Sequence, residues 1–310
     1  MTRVIHTGQA LVDVVIEVPD LPARGQNVMA TSVTDYAGGA VTVLVAAARF
    51  GAHCVHAGAH GTGPHGDLIR HALADEGIGL SAPPVAEHDT GICVVLIEPS
   101  AERTFVTTLG AEREITVESL ATSAPRPGDL VCVTGFSLAL AQTGEPLLAW
   151  LRTLDEGVVV VLDPGSAFAG LSVAVREEML AFTDVWSSNL EEAADILGTP
   201  DADDLAAVTA AVAPLLRGDA ITIVRDGASG CAVLVDGETV VVPGFPQTPL
   251  DTNGAGDTHT GALLAEVAAG TDWVEGCRRA NAAAAIKVTR RGPATAPTAA
   301  EVDAFLAGRS

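Results

Sequence analysis

Lysine is almost absent from this chain. Its 310 residues hold 17 basic side chains, and Lys287 is the single lysine among them. A phosphate-binding loop of the Gly-Lys-Ser/Thr type needs a lysine after a glycine. Lys287 follows Ile286, so that class of nucleotide site is excluded. Schiff-base chemistry would have to rest on Lys287 alone. Positive charge is scarce altogether: 39 acidic residues face those 17, for a net charge of −22. A surface of that sign argues against nucleic acid or an anionic membrane as partner. Any anionic ligand would need local attraction, from backbone amides, a helix N-terminus, arginine or a divalent metal.

Aromatic residues make up only 4% of a chain that is 48% hydrophobic. The core must therefore be built from Ala, Val, Leu and Ile, which suits a parallel sheet covered by helices. The length is ample for one large domain, 1–310, with a small appendage. The five cysteines (54, 93, 132, 231 and 277) form no Cys-x-x-Cys pair. That spacing excludes the common thiol redox motif and predicts buried, reduced thiols. No apolar stretch of roughly 18 residues is free of charge, Gly or Pro, and Met1 to Asp13 is too short and polar for a secretion signal. A soluble, cytoplasmic protein is expected. Internal repeats and low-complexity tracts are also lacking.

What is present is a change of rhythm along the chain. Val4–Val18 reads as one or two strands interrupted by Gly8 and Asp13. Ala40–Phe50 reads as a buried helix stopped by Gly51, and Asp67–Glu76 as an amphipathic helix stopped by Gly77. Gly91–Ile97 and Arg103–Thr108 are β-rich and joined by Glu98-Pro-Ser-Ala-Glu102, as in a hairpin. From Asp129 onward, strands near Leu130–Val133, Val158–Leu162, Val185–Ser187 and Ile221–Val224 alternate with helices near Glu145–Leu154, Glu191–Leu197 and Asp203–Leu216. Such alternation predicts a parallel α/β sheet. Asp236-Gly237 between Cys231–Val235 and Thr239–Val242 predicts a hairpin. Thr258–Ala269, Trp273–Val288 and Glu301–Leu306 read as the closing helices. The β-rich segments 11–36 and 91–108 stand outside this rhythm and read as a small inserted sheet, a candidate lid.

The sharpest local feature is Pro249-Leu-Asp251-Thr-Asn253-Gly254-Ala255-Gly256-Asp257-Thr-His-Thr-Gly261. Two glycines allow a tight turn, and the helix after it would aim free N–H groups into that turn. Such a helix N-terminus is an anion hole, able to hold the charge that develops on a transferring phosphoryl group. An acidic residue there repels an anion but makes sense as a base for an incoming hydroxyl. On its own, Asp257 reads equally well as the helix cap after a Gly turn. The spacing of Gly254, Gly256 and Gly261 does not fit a dinucleotide fingerprint.

With that turn in place, the chain resembles the ribokinase-like (PfkB) carbohydrate kinases over most of its length. Gly8-Gln-Ala-Leu-Val-Asp13 is similar to the family's first strand, whose Asp contacts substrate hydroxyls. Ala37-Gly38-Gly39, followed by an Ala-rich helix to Arg49-Phe50-Gly51, resembles its first signature. Trp186-Ser-Ser-Asn189-Leu-Glu-Glu192 resembles its Asn-x-x-Glu motif, which organises magnesium and phosphates through water. Arg225-Asp-Gly227-Ala-Ser-Gly230 looks like its nucleotide-binding loop, and Ala280-Asn281 like its adenine-side helix. The resemblance implies a three-layer α/β/α core with a mostly parallel sheet and a small β-sheet lid. It implies transfer of a phosphoryl group from ATP with Mg2+ to a sugar or sugar-like hydroxyl. Asp257 would be the general base, with Gly254, Ala255, Gly256 and Asp257 as anion hole. Asp13, Gly38, Gly39, Thr42 and Arg103 would contact substrate. Asn189, Glu192, Arg225, Gly227, Gly230 and Asn281 would serve the nucleotide, with Glu192 on magnesium through water. A monovalent cation, K+, is implied beside the anion hole at Asp251 and Asn253, and a homodimer through the lid.

The chain departs from the family pattern in three places. Thr42 stands where an Asn usually binds substrate, and offers one hydroxyl in place of a carbonyl and an amide. Gly61-Thr-Gly-Pro-His-Gly66 lacks the usual acidic pair. Arg225 stands where a small hydroxyl residue is common. These departures keep two alternatives open, a nucleoside kinase and a ligand-binding homologue without turnover. Plainer readings also stand for single residues: Asp13 as a turn residue, Asn189 as a cap, Glu192 as a solvated charge, Arg103 as hairpin decoration. Of His53, His56, His60 and His65 only His56 and His60 have the spacing of a helical pair, and that stretch reads as strand and Gly-rich loop, which disfavours a metal cluster, and His259 reads as a packing residue.

Overall fold

The computed structural model describes residues 1–100 and 102–309. Ala101, within the 98–102 hairpin link, and Ser310, the last residue of the 1–310 domain, lie outside the described residues. The strands are β1 (Arg3–His6), β2 (Ala10–Glu17), β3 (Ser32–Gly39), β4 (His53–His56), β5 (Gly79–Leu80), β6 (Ile92–Ile97), β7 (Arg103–Thr107), β8 (Leu130–Thr134), β9 (Val159–Asp163), β10 (Val185–Asn189), β11 (Ile221–Arg225), β12 (Gly230–Val235) and β13 (Glu238–Pro243). The helices are α1 (Ala40–Arg49), α2 (Pro64–Asp75), α3 (Val117–Ala121), α4 (Gly135–Leu138), α5 (Ala141–Leu151), α6 (Val173–Phe182), α7 (Leu190–Leu197), α8 (Leu205–Val212), α9 (Ala255–Ala268), α10 (Trp273–Lys287) and α11 (Ala299–Ala307).

Nine strands form one sheet in the order β13-β12-β11-β10-β9-β8-β1-β4-β5. It is parallel from β5 to β11 and antiparallel at the β12–β13 edge. Successive residues of its central strands bury opposite ways. Val4, Cys132, Val161, Val185 and Ile223 join a core shared with α1, α9 and α10, while Ile5, Val131, Leu162, Trp186 and Val224 join one shared with α5, α6, α7 and α8. This is why the strands read as continuous apolar runs: both faces are covered, which gives three layers. The scarce aromatics concentrate in the second core, where Phe168 packs edge-on against Trp186 at 5.9 Å. All five cysteines are buried and free.

A second sheet of four strands, in the order β3-β2-β6-β7, stands apart. Here one expectation is corrected. The chain breaks between β1 and β2 around Gly8, but β2 runs unbroken through Asp13. A polar residue does not end a strand when its alternate face meets a cleft rather than a core. Asp13, Tyr36, Phe105 and Arg103 share the face turned to the large sheet. Among the described residues, no helix is long and apolar enough to cross a membrane.

Candidate active site

The site lies at the C-terminal ends of the parallel strands, where open α/β sheets leave a crevice. Asp163, Asn189 and Arg225 end β9, β10 and β11, and all three line a cleft of about 650 Å3. Its opposite wall is the start of α9, from Gly254 to Asp257, and its roof includes Arg103 and Phe105 of the second sheet.

Gly254 caps α9 in the left-handed region, with φ +75°. A side chain there would also press on the Pro293 carbonyl at 2.7 Å and on Thr42 at 2.9 Å, so glycine is required twice over. The helix begins at Ala255, three residues before the expected Thr258. Gly256 sits in its first turn, where the amide has no intrahelical acceptor to lose. No side chain caps the helix. The Ala255 amide bonds the Thr252 carbonyl at 3.2 Å and that of Thr258 bonds Gly254, while the amides of Gly256 and Asp257 have no partner among the described residues. Of the four amides expected to form an anion hole, that of Ala255 is thus taken, while those of Gly254, Gly256 and Asp257 have no partner among the described residues. Asp257 is the third residue of the helix and not its cap, and among the described residues no hydrogen bond reaches its carboxylate. Burial, then the nearby Asp163, Asp13 and Glu192, push its carboxyl up to about 7 against the pull of Arg225.

Four carboxylates converge here. Asp163 is raised chiefly by burial, although Arg225 opposes the rise. Glu192 is raised by burial and by Asp163, and Asp13 by burial to about 6. Arg225 is the cation placed among them. Its guanidinium bonds the Ser188 carbonyl at 3.1 Å, the Gly256 carbonyl at 2.8 Å and the Thr260 hydroxyl at 3.1 Å, and lies 3.6 Å from Asp163. It ties β10 and β11 to the first turn of α9. The excess of negative charge over one arginine fits a divalent cation arriving with a polyphosphate.

Asn189 and Glu192 form a reciprocal capping box at α7, with bonds of 2.7 and 2.9 Å, so both have a structural duty while lining the cleft. Gly227 and Gly230 turn the loop after β11 at φ +48° and +106°. Asn281 spends its amide N–H groups on the Val242 and Pro243 carbonyls at 3.1 and 3.3 Å, holding α10 to β13 at the apolar end of the cleft. Phe245, Pro246, Ala284, Ala285 and Val288 shape that end.

Between the second sheet and α1, Asp13 lies against Gly38 so closely that any side chain at 38 would strike its carboxylate. Gly39 has φ +61° and caps α1, and its place is fixed by the Gln9 carbonyl beneath it. The Thr42 hydroxyl is buried without a partner among the described residues, next to Gly254.

Arg103 reaches across from β7 to the Asp251 carboxylate at 3.0 Å and the Thr252 hydroxyl at 3.1 Å. Asp251 also accepts the amides of Asn253 and Gly292, both at 2.9 Å. Burial pushes Asp251 up, but those amides with Lys287 and Arg103 outweigh it and hold the carboxyl below its ordinary value. Lys287 is fully buried, and its ammonium donates to the Asp251 carbonyl at 3.0 Å. A free K+ does not fit Asp251: its carboxylate is already bonded to one guanidinium and two amides.

Sequence reasoning missed Asp163 as a cleft residue, and it noted Lys287 as the single lysine without placing it in the site. Asp163 precedes Pro164-Gly165 at a strand end, a signal that could have found it. Lys287 ends a helix whose pattern names no partner for it. Asp89 supplies, from downstream, a carboxylate to the loop that lacks acids, accepting the His65 and Gly66 amides at 3.1 and 2.8 Å.

Known proteins resemble this chain in sequence and fold. The profile of pfkB family carbohydrate kinases matches residues 1–300. The sugar kinase YegV of Escherichia coli is 32% identical over 300 residues, covering 96% of this chain and 92% of that protein. Ribokinase of Haemophilus influenzae is 29% identical over 302 residues, covering 96% of each. Among solved structures, ribokinase of Giardia lamblia superimposes with a TM-score of 0.85 at 23% identity over 100% of both chains, which shows the shared fold. Fructokinase of Vibrio cholerae, bound to fructose, ADP and a calcium ion, gives 0.79 at 26% identity over 99% of both. The chain belongs to the pfkB family and is an ATP-dependent carbohydrate kinase.

Proposed function

We propose that the chain moves the γ-phosphoryl group of ATP to a hydroxyl of a small sugar, with Asp257 as general base and the Gly256 and Asp257 amides as anion hole. One observation carries this reading. Asp257 is an unbonded carboxylate, pushed up to about 7, in the same helical turn as two partnerless amides. Its carboxylate takes the proton of the attacking hydroxyl as the new O–P bond forms. The bond from the γ-phosphorus to the bridging oxygen breaks, and ADP leaves with that electron pair. The amides meet the charge on the phosphoryl oxygens, and Arg225 keeps the start of α9 in register. Mg2+, when bound with the nucleotide, neutralises phosphate charge, and Glu192 and Asp163 would hold it through water. Phe245, Pro246 and Ala284 would cover the adenine, with the phosphates running past Gly227, Gly230 and Asn189.

The sugar would sit under the second sheet, against Asp13, Gly38, Gly39 and the Thr42 hydroxyl. Relatives named for ribose and fructose make a pentose or a hexose the first class to try. The second sheet would act as a lid on a single domain, with Arg103 closing it onto Asp251. Its outward face carries Val14, Ile16, Val33, Val94, Leu96 and Val106 in adjacent rows, an apolar surface that suits pairing of two copies.

The test is ATP consumption across pentoses, hexoses and nucleosides. Turnover confined to sugars supports the reading, turnover confined to nucleosides replaces the substrate, and no turnover at all removes catalysis.

A further inference from the structure

We propose that Lys287 is a built-in cation that does beside the anion hole what a free monovalent cation would do, so that this kinase needs none. The inference rests on the kinase reading, since it concerns the charge behind the same helix N-terminus.

Lys287 is the only lysine, and none of its surface reaches solvent. A buried ammonium is costly unless its charge is answered. Here its hydrogen bond goes to the Asp251 carbonyl at 3.0 Å, three residues before Gly254. Burial lowers the proton affinity of Lys287, while Asp251 and Asp257 both raise it, so its charge lies in the field of the proposed base. Asp251 is flanked by Lys287 on its carbonyl and Arg103 on its carboxylate, where the Asn253 amide shares the Oδ1 that Arg103 bonds and the Gly292 amide takes Oδ2. An added K+ would be a third positive charge around one carboxylate, with its carboxylate oxygens already in use. At such separations like charges repel appreciably even with partial screening. A tethered ammonium has the charge of K+ and costs no binding step.

The test uses the full-length protein exchanged into choline chloride, with KCl or NaCl added at constant ionic strength. Turnover with the identified sugar and Tm with ATP and Mg2+ are both read. Wild type is expected to keep its rate within about twofold across the three salts. Its Tm should move no more in KCl than in choline chloride. Activation by K+ of about tenfold or more, or a Tm rise specific to K+, overturns the proposal. Lys287→Met should lose at least about tenfold in choline and recover part of it in KCl, as the ion enters the vacated space. A Lys287→Met enzyme as fast as wild type in choline also overturns it. If that variant does not fold, the wild-type salt series still decides. Failure of the kinase reading looks different: no turnover on any substrate in any salt, with the Tm comparison still deciding the cation.

Discussion

Asp257 owes its chemistry to a mismatch between its position and its surroundings. A carboxylate in the first turn of a helix is usually helped by the helix dipole. Burial and three other carboxylates reverse that help and raise it to about 7. Two predictions follow at this scale. The rate at low substrate should fall as pH drops below about 7, with a slope near one on a log scale, because only the ionised form accepts a proton. The stability effect has the opposite sign. A folded-state value raised from 3.8 contributes stability that is present below about pH 4 and lost as pH rises toward 7. Asp257→Asn should therefore raise the Tm of the ligand-free protein by roughly 2–4 °C at about pH 8, and by little at about pH 4. A calorimetric melt at each pH checks both halves. Much of this residue was legible from the Gly-x-Gly-Asp turn, but not whether it caps the helix. Excluding the cap needed the helix to start at Ala255, three residues earlier than its composition suggests.

At the scale of elements, the second sheet depends on a few polar ties. Glu112 is 2% exposed and accepts the amides of Gly91 at 2.7 Å and Gly110 at 3.0 Å, pinning both ends of the β6–β7 hairpin. Glu112→Ala would strand one buried and one half-buried amide and should cost about 2–4 kcal/mol, read as a lower urea midpoint at unchanged slope. Arg103 and the Arg291–Glu17 pair at 2.7 Å tie the sheet to the core. Arg103→Ala should raise the sugar KM by about tenfold with a smaller effect on kcat, since it weakens closure rather than the chemical step. Alternation in the sequence located this hairpin well. It did not foresee α6, whose Val173 and Val175 weaken the helical signal and whose apolar stripe is thin. Nor could it foresee Asp163 meeting Arg225, because that contact depends on the register of β9, β10 and β11 side by side.

For the whole molecule, 39 acids against 17 bases leave repulsion that folding must bear. The nine-stranded sheet was readable because strand–helix alternation repeats and both faces of each strand are apolar. Buried polar groups were not readable, because their partners lie far off in sequence. His6 and His56 are examples. Burial holds them near 3 and 4, and the His56 ring bonds the Gly8 carbonyl at 3.1 Å. Folded-state values depressed below 6.5 give stability that is present above about pH 6.5 and lost as pH falls toward 4. The two histidines should pull the unfolding free energy from urea melts down across that window, against the opposite trend of the raised carboxyls of Asp257, Asp13, Asp163 and Glu192. His56→Gln, which can keep a bond to Gly8 without titrating, should make the drop shallower.

The central claim is that Asp257 activates the sugar hydroxyl. Asp257→Asn keeps the size of the side chain and removes the base. Single-turnover transfer from ATP to the identified sugar, with ATP affinity measured on the same protein, tests it most directly. The predicted result is a rate lower by about 10²–10⁴-fold with the ATP Kd changed by less than about threefold. A variant that transfers phosphate within about threefold of the wild-type rate would contradict the assignment.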